Sequence, residues 1–160
     1  MKPAQHPTAL RIWQLLKDAG IETRVVEFEQ PTRTSADAAA AIGCSVAEIA
    51  KSIVFRGEKS GQAIIIVASG DNRVSETKVA EKVGEPLLRA DAGFVREATG
   101  YAIGGVAPIG HSRPVKLLLD EDLQRFKTIW AAGGTPFSVF PLTPAELRGL
   151  TGADWADVRQ

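Results

Sequence analysis

A chain of 160 residues with 44% hydrophobic and 24% charged side chains has the size and balance of one ordinary globular domain, which excludes disorder, collagen-like repeats and a core dependent on disulfides. Nineteen Lys and Arg against nineteen Asp and Glu leave no global positive field for nucleic acid, so any RNA contact must be local. The single cysteine, Cys44, excludes an intramolecular disulfide and a Cys-based zinc cluster, and two histidines, His6 and His111, argue against a His-rich metal site.

In chain order, MKPAQHPTAL carries no apolar signal stretch, and no run approaches the ~18 apolar residues of a membrane span. The expectation is a cytoplasmic protein without a membrane segment. Leu10, Trp13 and Leu16 recur at helical spacing with Gly20 as a stop, and Ile21 to Phe28 reads as a strand. Thr34 or Ser35 caps an Ala-rich helix ending near Gly43. Ser45-Val46-Ala47-Glu48 is a capping box that opens a short helix just before Lys51, placing that lysine at a helix-to-strand junction.

Ser52 to Phe55 and Ala63 to Ala68 form a predicted hairpin around the polar stretch Arg56 to Gln62. Ile64-Ile65-Ile66-Val67 does not alternate, so that strand is expected to be covered on both faces at the centre of the sheet. Ser75 caps a helix closed by Gly84, Leu87-Leu88 reads as a short strand, and Asp91 caps a helix ending near Gly100. Strands are predicted over Tyr101 to Val106, Val115 to Leu119, Thr128 to Ala131 and Ser138 to Phe140. Asp120-Glu121-Asp122 reads as a solvated helix start, and the capping box Thr143-Pro144-Ala145-Glu146 opens a last helix to about Leu150. No repeat or linker divides residues 1–160, so the fold class is α+β, a single domain with a mixed twisted sheet and peripheral helices.

Several segments could carry chemistry. Burying an ammonium group is costly unless it is paired, so Lys51 must snorkel, find an acceptor or serve a ligand. Gly104-Gly105 permits close approach or an uncommon φ and Pro108 stiffens the turn beyond, which suits a tight turn or a binding loop. The spacing matches neither a dinucleotide fingerprint nor a phosphate-binding Walker loop. In Ile129-Trp130-Ala131-Ala132-Gly133-Gly134 the small residues leave a pocket wall open or let two backbones pack. His111 could act as a base or be a capping residue, with no Ser-His-Asp arrangement around it. A helix N-terminus could lower the pKa of Cys44, or the thiol could simply be buried.

Taken together and in this order, Ala50-Lys51-Ser52, Thr99-Gly100-Tyr101 through Gly104-Gly105-Val106-Ala107-Pro108-Ile109-Gly110, and Thr128-Ile129-Trp130-Ala131-Ala132-Gly133-Gly134 resemble the YbaK/prolyl-tRNA-synthetase-associated editing domain family, especially its freestanding bacterial members. The likeness runs from about Leu10 to Val158. It implies a trans-editing deacylase that hydrolyses the ester joining a wrong amino acid to tRNA, most often tRNA(Pro). It further implies that Lys51 holds the terminal adenosine or its phosphate, that Gly104 offers its backbone to the aminoacyl end, and that Pro108 is the proline of the same loop. The family is described as using no metal or organic cofactor and a water positioned by a ribose hydroxyl of the substrate.

By the same resemblance, Phe28, Ser52, Gly105, Val106, Ala107, Ala132 and Gly133 are substrate-binding candidates, Phe28 being either a pocket aromatic or a plain core residue. Relatives acting on Cys-tRNA(Pro) carry a serine where this chain has Ala132, and threonine is frequent where it has Ser52, so the wall is more apolar and alanine becomes as plausible a side chain as cysteine. An activated ester needs orientation and oxyanion stabilisation more than a strong protein nucleophile, which agrees with the lack of a visible triad. The expected partners are the acceptor end of aminoacyl-tRNA and, transiently, prolyl-tRNA synthetase, with no DNA and no membrane. The rival reading is a noncatalytic module that binds a tRNA end or a nucleotide; a small-molecule esterase would require an activated nucleophile that the sequence does not display.

Overall fold

In the computed structural model, which describes residues 1–160, side-chain caps set most helix ends. After β1 (Lys2–Pro3), α1 (Pro7–Asp18) opens on His6, whose ring accepts from the Thr8 amide, with Pro7 starting the helix. The buried stripe is Ala9, Ile12 and Leu16; Leu10, expected on that stripe, points outward. The strand expected over Ile21 to Phe28 is reduced to β2 (Val26–Glu27). Its first half makes bonds outside a ladder: Trp13 Nε1 donates to the Thr23 carbonyl, and the Thr23 hydroxyl donates to the Pro141 carbonyl.

Thr34 accepts from the Asp37 amide and opens α2 (Ser35–Ile42), which ends on left-handed Gly43. The Ser45–Glu48 box is formed, the Glu48 carboxylate accepting from both the amide and the hydroxyl of Ser45 around a single 3₁₀ turn, Val46–Glu48. There follow β3 (Ile49–Gly57), β4 (Ala63–Ser69), α3 (Glu76–Val83), β5 (Leu87–Arg89), α4 (Ala92–Thr99) and β6 (Lys116–Asp120). Beyond a 3₁₀ segment over Glu121–Arg125 come β7 (Ile129–Ala132), β8 (Ser138–Leu142), α5 (Pro144–Thr151) and β9 (Asp154–Ala156).

The strands form one mixed sheet in the order β1-β2-β8-β7-β3-β4-β6-β9, with β5 also pairing β3. The α+β architecture read from the sequence is therefore present. Every residue of β4 is buried, as its unbroken apolar run requires. One face of the β3–β4 hairpin, with Ala50, Val54, Ile65 and Val67, joins the main core under α1. The other, with Ile53, Phe55, Ile64, Ile66 and Ala68, packs against Val79 of α3. A third small cluster sets Ala38 and Ala39 of α2 on Ile49.

Two expectations are corrected. Tyr101 to Val106 is not a strand: Gly104 has φ 89°, the Gly105 amide turns back to the Ala102 carbonyl, and the buried Tyr101 donates its hydroxyl to the Ile109 carbonyl at 2.7 Å. The segment folds on itself and has no strand neighbour. Asp120 is not solvated but 1% exposed, its carboxylate accepting from the Ser69 amide, the Asn72 side-chain amide and the Asp122 amide. Strands β1 and β9, two and three residues long, are too short to leave a periodic signal.

Candidate active site

Lys51 is the third residue of β3, and the 3₁₀ turn that precedes the strand ends at Glu48. On one edge β3 pairs β4 throughout. On the other it pairs β7 only through Ile49–Trp130 and Ala50–Ala131, and β5 only from Phe55 onward. The edge from Lys51 to Val54 is thus left without a strand on that side. Lys51 and Ser52 project to opposite faces of a pleated strand, yet both border a cleft of about 490 Å³ that opens at this unpaired edge.

Around the cleft stand the loop entering α2, with Thr32 and Arg33, the 104–106 loop, and the β7–β8 hairpin, with Ala132 and Ser138. The Lys51 ammonium donates to the Gly70 carbonyl at 3.4 Å and takes part in none of the five ion pairs of the molecule. Burial pushes its pKa down; Asp71 and Asp120 counter this, and Arg73 adds to it. Gly70 also borders the cleft, and no larger residue fits there, since a Cβ would collide with the Val46 carbonyl and lie 3.0 Å from the Ser35 Cβ.

Across the cleft, the amides of Gly104 and Val106 meet no acceptor within the protein. Both residues border the cleft, so these amides are available as donors to an anionic oxygen bound there.

Of the residues singled out from the sequence, Lys51, Ser52, Gly104, Val106 and Ala132 border the cleft, whereas Phe28, Gly105, Ala107, Pro108 and Gly133 do not line it. Phe28 is buried, and its amide donates to the Phe137 carbonyl at 2.7 Å. A Cβ on Gly105 would stand 2.6 Å from the Thr135 carbonyl carbon, so this glycine lets the 101–110 loop lie directly on the 133–137 turn. A Cβ on Gly133 would stand 2.9 Å from both Ser138 Oγ and Val25 Cγ1. Ala107 belongs to the main core and its carbonyl meets His111 Nε2 at 2.8 Å; Pro108 is buried beside it. Burial pushes the His111 pKa down, and its ring packs edge-on against Tyr101.

Cys44 is half-buried beside Ala38, Ala39 and Ile49, and burial raises its thiol pKa, contrary to the lowering that a helix N-terminus could have produced. Arg33, Ser138, Gly70 and the buried Asp120 went unremarked in the sequence as site elements. Only the Asp120–Asp122 charge run offered a signal, and it pointed to solvent.

A family model described as "Aminoacyl-tRNA editing domain" matches residues 29–150. Protein YwhH of Bacillus subtilis, which has no assigned function, is 40% identical over 138 residues, covering 86% of this chain and 87% of its own. A protein of Enterococcus faecalis named "Putative Cys-tRNA(Pro)/Cys-tRNA(Cys) deacylase EbsC" is 27% identical over 124 residues, 75% of this chain and 73% of that one. A crystal structure described as that of "a putative trans-editing enzyme for prolyl tRNA synthetase" superimposes with a TM-score of 0.91 at 46% identity, covering 98% of this chain and 99% of that one. A proline–tRNA ligase of Limosilactobacillus fermentum is 32% identical over 113 residues, 68% of this chain but 20% of the ligase.

Proposed function

Because the chain belongs to the aminoacyl-tRNA editing domain family, we propose that it is a trans-editing deacylase, hydrolysing the ester of a tRNA, chiefly tRNA(Pro), that carries alanine or cysteine. The observation that carries this reading is the unpaired, half-buried ammonium of Lys51 in the same cleft as the free amides of Gly104 and Val106.

A partly desolvated cation that is in no direct ion pair is available to an anion or lone pair, and the ester-bearing end of tRNA offers both phosphate and ribose hydroxyls. With that end held by Lys51, the ester carbonyl is presented to the Gly104 and Val106 amides. Water adds to the carbonyl carbon, the tetrahedral oxyanion takes the amide hydrogen bonds, and the carbon–oxygen bond to ribose breaks. The ribose oxygen leaves as a hydroxyl, carrying a proton that derives from the water. Amides already fixed by the fold need no reorganisation during this step.

Val106 and Ala132 present apolar surface and no hydroxyl to the amino-acid side chain, which suits a small apolar group. Arg33 at the mouth and Arg73 close to Lys51 are exposed and in no ion pair, and supply local charge for RNA phosphates on a molecule of zero net charge. Transient association with prolyl-tRNA synthetase and a cytoplasmic setting belong to this proposal; DNA, a membrane and a cofactor have no role in it. No helix is long and apolar enough to cross a membrane.

Purified protein incubated with tRNAs charged with alanine, cysteine, serine and proline tests the reading. Release of alanine or cysteine from tRNA(Pro), with the prolyl ester spared, is expected. Binding of these tRNAs without release of any amino acid overturns it in favour of a noncatalytic tRNA-end module.

A further inference from the structure

Five large apolar side chains are exposed: Met1, Leu10, Leu88, Ile103 and Phe137. Phe137, at 41%, is the one exposed aromatic residue of the chain; every other Phe, Tyr and Trp is buried or half-buried. The backbone that carries it is tied down. The Phe137 amide donates to Thr135 Oγ1 at 3.2 Å, its carbonyl accepts from the Phe28 amide at 2.7 Å, and the Ser138 amide closes the turn on the Thr135 carbonyl. A hydrophobic ring left in water on a loose tip would be unremarkable; this one sits on a backbone tied at Phe137 and Ser138.

The display is at the cleft. Ser138 and Val139, next in the chain, border it, and Thr32, which also borders it, is tied to the Pro136 carbonyl through both its amide and its hydroxyl. Ile103, 58% exposed, immediately precedes Gly104 on the loop that lies on the Thr135–Pro136 backbone through Gly105. Two loops in backbone contact thus each carry an exposed apolar side chain beside a residue of the cleft.

We propose that Phe137, with Ile103 on the facing lip, is the platform on which the unpaired base of the ester-bearing nucleoside stacks. This rests on the deacylase reading, and adds to it a base subsite outside the cleft. If Lys51 and the loop amides hold ribose and ester inside, the attached base emerges one ribose width away, at the rim. Stacking is sequence-tolerant, and it compensates for the missing global charge.

The test uses an RNA minihelix with an unpaired 3′ end in which 2-aminopurine replaces either the last or the penultimate base. Quenching of the terminal probe on binding is expected. Phe137→Ala should abolish the quenching and weaken binding about tenfold, ~1.4 kcal/mol; Phe137→Tyr should restore both, and Phe137→Leu should restore neither fully. Binding without quenching, quenching only at the penultimate base, or full rescue by leucine overturns the platform while leaving the deacylase reading intact. Absence of any RNA binding or deacylation by the unmodified protein overturns both.

Discussion

The Ser69 amide donates to the buried carboxylate of Asp120 at 3.0 Å, and the carbonyl of the next residue, Gly70, receives the Lys51 ammonium. Asp120 also holds the Asn72 side chain, so a carboxylate on β6 fixes the turn after β4 that steadies the lysine on β3. Asp120→Ala leaves the buried Ser69 amide without its acceptor and should cost about 2–3 kcal/mol of stability by denaturant unfolding. Asp120→Asn keeps one acceptor oxygen and should cost less. In both, single-turnover deacylation should fall further than the loss of folded protein accounts for.

In the proposed reaction Lys51 would give up stability for substrate binding. Burial lowers its pKa, so the folded chain binds that proton less readily than the unfolded one. Below the folded-state pKa the charged form therefore weakens the fold, and stability rises as pH climbs from there toward the unfolded value. Lys51→Met should leave the thermal midpoint unchanged or higher at neutral pH while lowering deacylation by at least about 100-fold. A variant that unfolds, or one that keeps full activity, contradicts this assignment.

Gly105 and Gly149 should respond oppositely to alanine. A Cβ on Gly105 meets Thr135 and Pro136 backbone atoms at 2.6–2.9 Å, which cannot yield as a flexible side chain would, so Gly105→Ala should part the two loops and lower kcat. Gly149 lies within α5, where an added Cβ would meet nothing within 4 Å, and Gly149→Ala should stabilise by about 0.5–1 kcal/mol with unchanged kinetics.

His111 makes the 104–111 loop sensitive to mild acid. Burial, with a smaller contribution from Arg11, holds its pKa below the ordinary 6.5, outweighing the Ala107 carbonyl. As pH falls below about 6.5 the unfolded chain takes up a proton that the folded one resists, so stability is lost down to the folded-state pKa and changes no further below it. His111→Gln should flatten this part of a plot of thermal midpoint against pH.

If Arg33 and Arg73 each meet a phosphate, Arg33→Ala and Arg73→Ala should each reduce the slope of log affinity against log salt by about 0.7 for the single-stranded tRNA end. An exposed arginine far from the cleft, such as Arg148, serves as the control and should leave the slope unchanged.

The helices were the most legible part of the chain, because Thr34, Ser75, Asp91 and Thr143 act on amides three residues away and Gly43, Gly84, Gly100 and Gly152 close the same segments. The unbroken run in β4 likewise announced its burial. Lys51, Ser52, Gly104, Val106 and Ala132 were found as site candidates through the resemblance of their segments to an editing family. Tyr101 to Val106 misled, since its β-branched and aromatic residues favour a strand only where a partner strand exists.

What the residues decide by themselves is local: caps, turns and apolar runs arise from interactions that span a few positions. The cleft is different. It exists because β7 stops pairing β3 at Ala50, because Gly105 allows two distant loops to touch, and because Asp120, separated from Ser69 by 51 residues, turns inward. Each depends on which backbones become neighbours, and hydrogen bonds and steric fits between remote segments leave no periodicity in the chain that makes them.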